Sequence, residues 1–521
     1  MTDYDGIIIG AGHNGLILQA YLGKAGLKTL CIERRHVAGG GLSTAEDPRH
    51  PGFLHNTHAF FQRAITAMPW YADLDLERHG AHYIEPELNV ALLTRDGRAL
   101  EWWTDIDRTV ASFAQFSSRD AETLRRWQHE FVPIVRDILV PESRTIPLPP
   151  EERRAALEKS AAGRRLLEVS ALSPLEFVHQ EFEHPTVKAG LLFFNGLREV
   201  DLRAKGFGHH IAALLASPAK AQMSRGGSAA LARALDAAVR ESGGEIRLMT
   251  EPARIVVESG RAVGIETATG DLIRARQFVV SSLNPTQTFI DLLDDALVPR
   301  EIREQVERFQ YNLLAPLFAL HLNLREPPRY AASAEHPELA RAFMVIMGLD
   351  HVDQFHDIVR HHEAGTIPPT VMWGACPTLF DPSQAPAGRH TAFMWEKLPY
   401  RLNADPANWD AARGHGREML ALWRQHAPNL SDAVIDSFTR SPLDVERELP
   451  NMREGDLLVG AFTNDQVGYH RPFRGAGAYR THIPGLYLCG SSSHPGGNIT
   501  GLPGYNAAQV ILNDLAIVAV P

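Results

Sequence analysis

Gly10, Gly12, Gly15 and Glu33 have the types and spacing to hold a pyrophosphate and a ribose. Residues 5–15 read DGIIIGAGHNG, and Glu33 closes the next apolar run, residues 29–32. In that spacing a strand ends at Ile9, a tight turn passes over Gly10 and Gly12, and Gly15 lets the following helix pack closely on the strand. The start of that helix, with His13 and Asn14 in its first turn, offers free N–H groups and a partial positive charge to a pyrophosphate. Glu33 is placed to accept a hydrogen bond from a ribose hydroxyl, and an acid there favours the unphosphorylated ribose of FAD or NAD over that of NADP. The competing reading is an ordinary strand-turn-helix; the flanking strand, the helical continuation and the acid at the right distance favour the dinucleotide.

Which dinucleotide it is depends on residues 34–44, RRHVAGGGLST. Bare glycines let backbone pass close to a bulky ligand, and Arg34 and Arg35 beside them can pair with phosphate. The cluster, with Gly40, Gly41 and Leu42, resembles the one that flavoproteins of the amine oxidase and phytoene desaturase superfamily place after their acidic residue, and the resemblance implies FAD. Residues 484–508, PGLYLCGSSSHPGGNITGLPGYNAA, read as a short buried strand over 486–489, a glycine-rich loop and a helix from about Tyr505. In the superfamily such a segment brings a helix N-terminus to the pyrimidine end of the flavin, which implies cofactor contacts at Gly490, Gly501, Leu502 and Pro503. The HPGG and GxxGxNAA elements are most similar to the branch with phytoene desaturases, carotenoid isomerases, retinol saturase and the pyridine nucleotide-disulfide oxidoreductase domain-containing 2 group. GAGHNGL followed by ERRHVAGG is similar to the last of these.

Between the two ends, RGGSAALARAL at 225–235 leads into a helix and then strand-like runs with turns at 258–260 and 269–271. The resemblance implies that this segment returns to the FAD domain, with a backbone amide after Thr250 on the adenine, here at Ala253. Pro252 departs from the pattern: it stands where valine is common, and proline has no N–H to donate. The expected fold is α/β, a Rossmann-type FAD-binding domain assembled from residues 1–70, 220–285 and 450–521. Residues 71–219 and 286–449 form a mixed α+β substrate domain inserted into it. The first insertion reads as helices, including one over 151–167 started by Pro149 and Pro150 and further helix over 174–215. The second mixes helix with strand-like runs at 317–322 and 391–397.

Bulk properties agree with an enzyme-sized globular chain. It has 521 residues, 44% hydrophobic and 22% charged, and a net charge of −10 that argues against nucleic acid as a partner. No secretory pattern opens the chain and no run reaches the roughly 18 apolar residues of a membrane span, so a cytoplasmic location is expected; peripheral membrane contact and oligomeric state stay open. Cys31, Cys376 and Cys489 are isolated and form no CxxC, which speaks against dithiol chemistry. No second GxGxxG is present to hold a nicotinamide cofactor.

For catalysis the most informative stretch is GFLHNTHAFFQ, residues 52–62. The resemblance puts this turn beside the isoalloxazine ring, with Thr57 and His58 at the cofactor. Imidazole titrates near neutrality, and His58, ahead of His55, is the better candidate for a base or for a group that orients a substrate oxygen. The alternative is that both histidines hydrogen-bond backbone or flavin and move no proton. Tyr505 is either an aromatic wall over the flavin or a packing residue, and His494 lies in the cofactor motif itself. No metal site is expected: on a helix His351, His356 and His361 step by five residues and fan out by about 140° each. The sequence therefore points to an FAD-dependent oxidoreductase that desaturates or dehydrogenates a lipophilic or aromatic small molecule by hydride transfer to flavin. Electrons would pass on to oxygen, a quinone or another acceptor. The alternatives are a non-redox isomerase using reduced FAD, an alcohol or amine oxidase, and a protein that binds FAD for stability and acts through interaction.

Overall fold

The computed structural model describes residues 4–196, 200–217 and 221–517, so the helix expected over 174–215 falls partly outside the described residues. Its first sheet is built from widely separated pieces of chain. Strand Tyr4–Ile9 lies between Thr29–Ile32 and Leu272–Ser281, both parallel to it, with Glu245–Arg247 outside the former and Leu486–Leu488 outside the latter. The antiparallel strands Arg261–Thr267 and Pro252–Glu258 extend it from the early part of Leu272–Ser281. Parallel strands must be covered on both faces, which is why their sequences read as unbroken apolar runs. Ile8, Cys31, Val280 and Cys489 face one core, and Ile7, Ile9, Leu30, Ile32 and Val279 face the other. Helix His13–Lys24 covers the first face and packs against both Ala229–Glu241 and Leu502–Asp514. Gly6 has a local reason: a Cβ there would enter the ring of Phe278 on the neighbouring strand.

The second sheet runs in the order Val434–Arg440, Leu317–Leu324, His390–Lys397, Met372–Ala375, Met344–Met347, Leu88–Leu93, Ala99–Trp103. It is antiparallel except where Met344–Met347 meets Leu88–Leu93, so both expected insertions contribute to one sheet. Helices drawn from 106–216 cover one face, through Phe113, Trp127, Leu166 and Ile211. The other face is closed by Trp409 and Trp423. This is the discontinuous Rossmann-type α/β domain with an inserted α+β domain that the sequence implied.

Local boundaries differ in three places. The helix expected over 151–167 is two, Pro150–Leu157 and Ala161–Ser170, because the Ser160 side chain accepts from the Gly163 N–H and starts the second. The last helix begins at Leu502, three residues early; Pro503 sits in its first turn, where no intrahelical N–H bond is needed. Its preceding strand, expected over 486–489, stops at Leu488. Among the described residues no helix is long and apolar enough to cross a membrane.

Candidate functional site

A cavity of about 320 Å³ opens beyond the carboxyl ends of the parallel strands, where Ile9, Ile32 and Ser282 leave the first sheet. Open parallel sheets place ligands at this location. Gly10 turns there with φ +94°, and Ser282 Oγ donates to the Ile9 and Gly10 carbonyls at 2.8 and 3.0 Å, holding the turn in shape. Gly15 is required by packing, since a Cβ would press on the Gly10 carbonyl. Gly12 is different. Its φ of −69° suits any residue, and a Cβ on it meets no protein atom within 4 Å, so the space it leaves clear belongs to the cavity.

The second glycine cluster packs on the first: the Gly39 N–H donates to the Ala11 carbonyl at 2.7 Å, and a Cβ on Gly40 would lie 3.2 Å from the Gly12 Cα. Two helix N-termini, of His13–Lys24 and Leu502–Asp514, come together beside it. Both N-cap residues are glycines without a capping side chain, and Asn14 joins the two ends, its amide donating to Ser491 Oγ at 3.2 Å and its oxygen accepting from the first-turn Gly504 N–H of the last helix at 3.3 Å. His13 lines the cavity with an unpartnered Nε2, and burial pushes its pKa down to about 4, so it is neutral.

Glu33 lines the cavity and is held by the Ala11 and Arg35 N–H groups at 3.1 and 3.0 Å. Arg34 lines it as well and donates to the Glu448 carbonyl at 2.9 Å. The Arg35 guanidinium is instead paired with the Glu448 carboxylate at 2.8 Å, outside the cavity lining. Pro252 and Ala253 both face the cavity, so the first backbone N–H this strand has near it belongs to Ala253.

His55 and His58 sit where the hairpin of Thr44–Glu46 and Leu54–Asn56 meets the second sheet. Burial drives the His55 pKa down to about 4, and burial with the Arg440 and Arg35 charges drives that of His58 well below its ordinary value. Both rings are neutral at physiological pH. His58 Nδ1 lies 3.0 Å from Thr57 Oγ1, and its Nε2 lies 3.5 Å from the Arg440 guanidinium, which is paired with Glu448. Phe60 follows, packed on Phe343 and Phe393 at ring distances of 4.7 and 4.9 Å.

Several residues singled out from sequence stand apart from the cavity lining. Leu42 and Thr57 are buried outside it, and Gly490 packs against the Ser282 backbone. Gly501 clears Ile17 and Trp70, while Leu502 and Pro503 are buried in the first turn of the last helix. Tyr505 lies edge-on to Tyr21 of helix His13–Lys24 at a ring distance of 5.3 Å. His494 Nε2 approaches the Glu142 carbonyl at 3.0 Å. Sequence reasoning passed over Ser282, Gln287, Asp291, Ser491 and the segment Leu449, Pro450, Asn451, Met452. The rule that ligands gather past strand ends would have found Ser282 and Ser491; nothing local marks 449–452. Asp47, His50 and Asp436 are close enough to share a metal ion, but Arg49 already lies 3.0 Å from Asp436.

Residues 8–73 match the family model described as an NAD(P)-binding Rossmann-like domain. One of the subunits of limonene dehydrogenase from Castellaniella defragrans is 32% identical, over 98% of this chain and 95% of that protein. Pyridine nucleotide-disulfide oxidoreductase domain-containing protein 2 of Rattus norvegicus is 27% identical, over 98% and 94%. That group, to which the opening motifs are similar, is therefore one line of relatives among several. Among solved structures, cyclohexylamine oxidase from Brevibacterium oxydans superposes with a TM-score of 0.62 at 16% identity, covering 99% of this chain and all of that one (100%).

Proposed function

Because the chain belongs to the FAD-dependent oxidoreductases of the amine oxidase and phytoene desaturase superfamily, we propose that it holds FAD along the cavity and oxidises a lipophilic or aromatic molecule beside the His55–His58 turn. The observation that carries this reading is Gly12, a glycine that neither backbone conformation nor packing demands and whose missing side chain keeps the cavity open. A pyrophosphate against Gly10 and Gly12 would meet the uncapped N-terminus of His13–Lys24, and Glu33 would take a ribose hydroxyl, with Ala253 near the adenine. Bound there, FAD supplies the acceptor for a hydride leaving the substrate.

The chain's own residues do the rest. The N-terminus of Leu502–Asp514 adds a second partial positive charge beside the first. Phe60, Phe343 and Phe393 pack on one another in the core next to the histidines and keep that side of the turn apolar, in keeping with a lipophilic substrate. Limonene, for which one relative is named, is such a compound. All three cysteines are free and buried, and burial raises the thiol pKa values of Cys31, Cys376 and Cys489, so electrons leave to oxygen, a quinone or another acceptor without a dithiol. Residues 1–70, 220–285 and 450–521 are assigned to FAD, and 71–219 and 286–449 to substrate.

The test is anaerobic titration of the yellow protein with limonene, a carotenoid polyene, aromatic alcohols and amines. Bleaching of the flavin band by one of them, at a rate that saturates with its concentration, is the expected result. A flavin that dithionite bleaches and no donor does would favour the isomerase that uses reduced FAD.

A further inference from the structure

Three side-chain amides interlock at the cavity. Asn284 lies just past strand Leu272–Ser281, is fully buried, and joins Gln287, which opens the short turn Gln287–Asp291, to Asn451. Its Oδ1 accepts from the Gln287 N–H at 2.9 Å, and its own N–H donates to Asn451 Oδ1 at 2.6 Å. Its Nδ2 donates to the Asn451 carbonyl at 3.2 Å and to Gln287 Oε1 at 3.1 Å. Backbone groups fix which way each amide is turned. A backbone N–H only donates, so the Asn284 atom on the Gln287 N–H and the Asn451 atom on the Asn284 N–H are both oxygens. A carbonyl only accepts, so Asn284 turns its Nδ2 to the Asn451 carbonyl, and the Gln287 atom that meets the same Nδ2 must be Oε1.

One NH2 on Gln287 and one on Asn451 are left over. Neither has a partner among the described residues, and neither is sealed from solvent. Both residues line the cavity of about 320 Å³. Asn284 asks only for an acceptor oxygen from each of them, which a glutamate and an aspartate would supply equally well. Those residues would add negative charge to a lining that already holds Glu33, Glu251 and Asp291, whereas the amides add two donors. Their chain neighbours reach both glycine clusters: a Leu283 methyl lies 3.4 Å from a Cβ built on Gly10, and the Met452 methyl 2.9 Å from one built on Gly41.

We infer that Gln287 and Asn451 donate their NH2 groups to the pyrophosphate of FAD, and that Asn284 is the residue that positions them. The inference rests on the proposed reading of this cavity as the FAD site. It gives the pyrophosphate side-chain donors in addition to the N–H groups at the start of helix His13–Lys24. An NH2 group cannot accept, so what meets these two must offer lone pairs, and hydrogen bonds to an ionised acceptor are the stronger kind.

The test measures ADP and FAD binding to the whole chain freed of flavin, in the wild type and in Gln287→Glu, Gln287→Met, Asn451→Asp and Asn451→Leu. The acidic variants keep the oxygen that Asn284 needs and lose the NH2; the apolar variants lose the NH2 without adding charge. Each should raise Kd for both ligands about tenfold or more. In an Asn284→Asp background the carboxylate draws the Gln287 NH2 to itself, so Gln287→Met should then raise Kd no further, a non-additivity that a merely structural Asn284 would not produce. A crystal of the FAD-loaded wild type should show phosphate oxygens within hydrogen-bond distance of Gln287 Nε2 and Asn451 Nδ2. Apolar variants that bind both ligands like the wild type, or a crystal with the phosphates away from both amides, overturn the inference and leave the flavin reading standing. A wild type that takes up neither ADP nor FAD removes both.

Discussion

Gly12 and the histidines of the 52–62 turn make the sharpest demands on the account. At Gly12 nothing in the protein requires a glycine, so Gly12→Val should fold with the stability of the wild-type apoprotein and yet purify without a flavin band; a yellow variant would mean that the cavity is used otherwise. The placement of Gly10, Gly12 and Glu33 was legible because their spacing encodes a turn, a helix start and an acid past the second strand. The histidines were legible as candidates but not as a ranking. Sequence shows that His55 and His58 share a turn; it does not show that Arg440, nearly four hundred residues on, occupies one of them, or that Asn323 orients the other. The interlocked amides were invisible for the same reason, since Gln287 and Asn451 are joined only through Asn284 and nothing local links 284–287 to 451.

At the scale of elements, the site depends on how closely helices His13–Lys24 and Leu502–Asp514 approach at their N-termini. Gly504 sets that distance, because a Cβ on it would press on the Asn14 carbonyl. Gly504→Ala should cost about 1–3 kcal/mol, the usual range for overpacking, measured by chemical denaturation, and should also lower the flavin content of the purified protein. Unchanged stability would show that the helices yield freely. The parallel strands were readable from their unbroken apolar runs, and the strand-helix order at both ends of the chain followed from glycine and proline chemistry. The order of the second sheet was not readable. Strand Leu88–Leu93 pairs with Met344–Met347, some 250 residues away, and no local pattern selects that partner.

Over the whole molecule, buried neutral histidines tie stability to pH. Burial lowers the pKa of His13, His55, His362 and His494 to about 4, and holds those of His58 and His321 well below the ordinary value. The unfolded chain takes up protons on these residues below the ordinary value of 6.5 and the folded chain does not, so their contribution is complete above 6.5 and is lost as pH falls toward 4. Each is expected to remove about 1.4 kcal/mol per pH unit in that window. Urea denaturation from pH 7 to pH 4.5 should show a steep fall; a flat profile would mean that the rings are charged or accessible. The discontinuous α/β domain and its α+β insertion set the cavity and the histidine turn side by side, but fold alone does not fix which bond is oxidised. Every proposed role depends on FAD occupying this cavity. The most direct measurement is the visible spectrum of the purified protein with quantification of the flavin released on denaturation. About one FAD per chain, released intact as FAD, is the expected result; a colourless protein that takes up no added FAD would show that the cavity does not hold it.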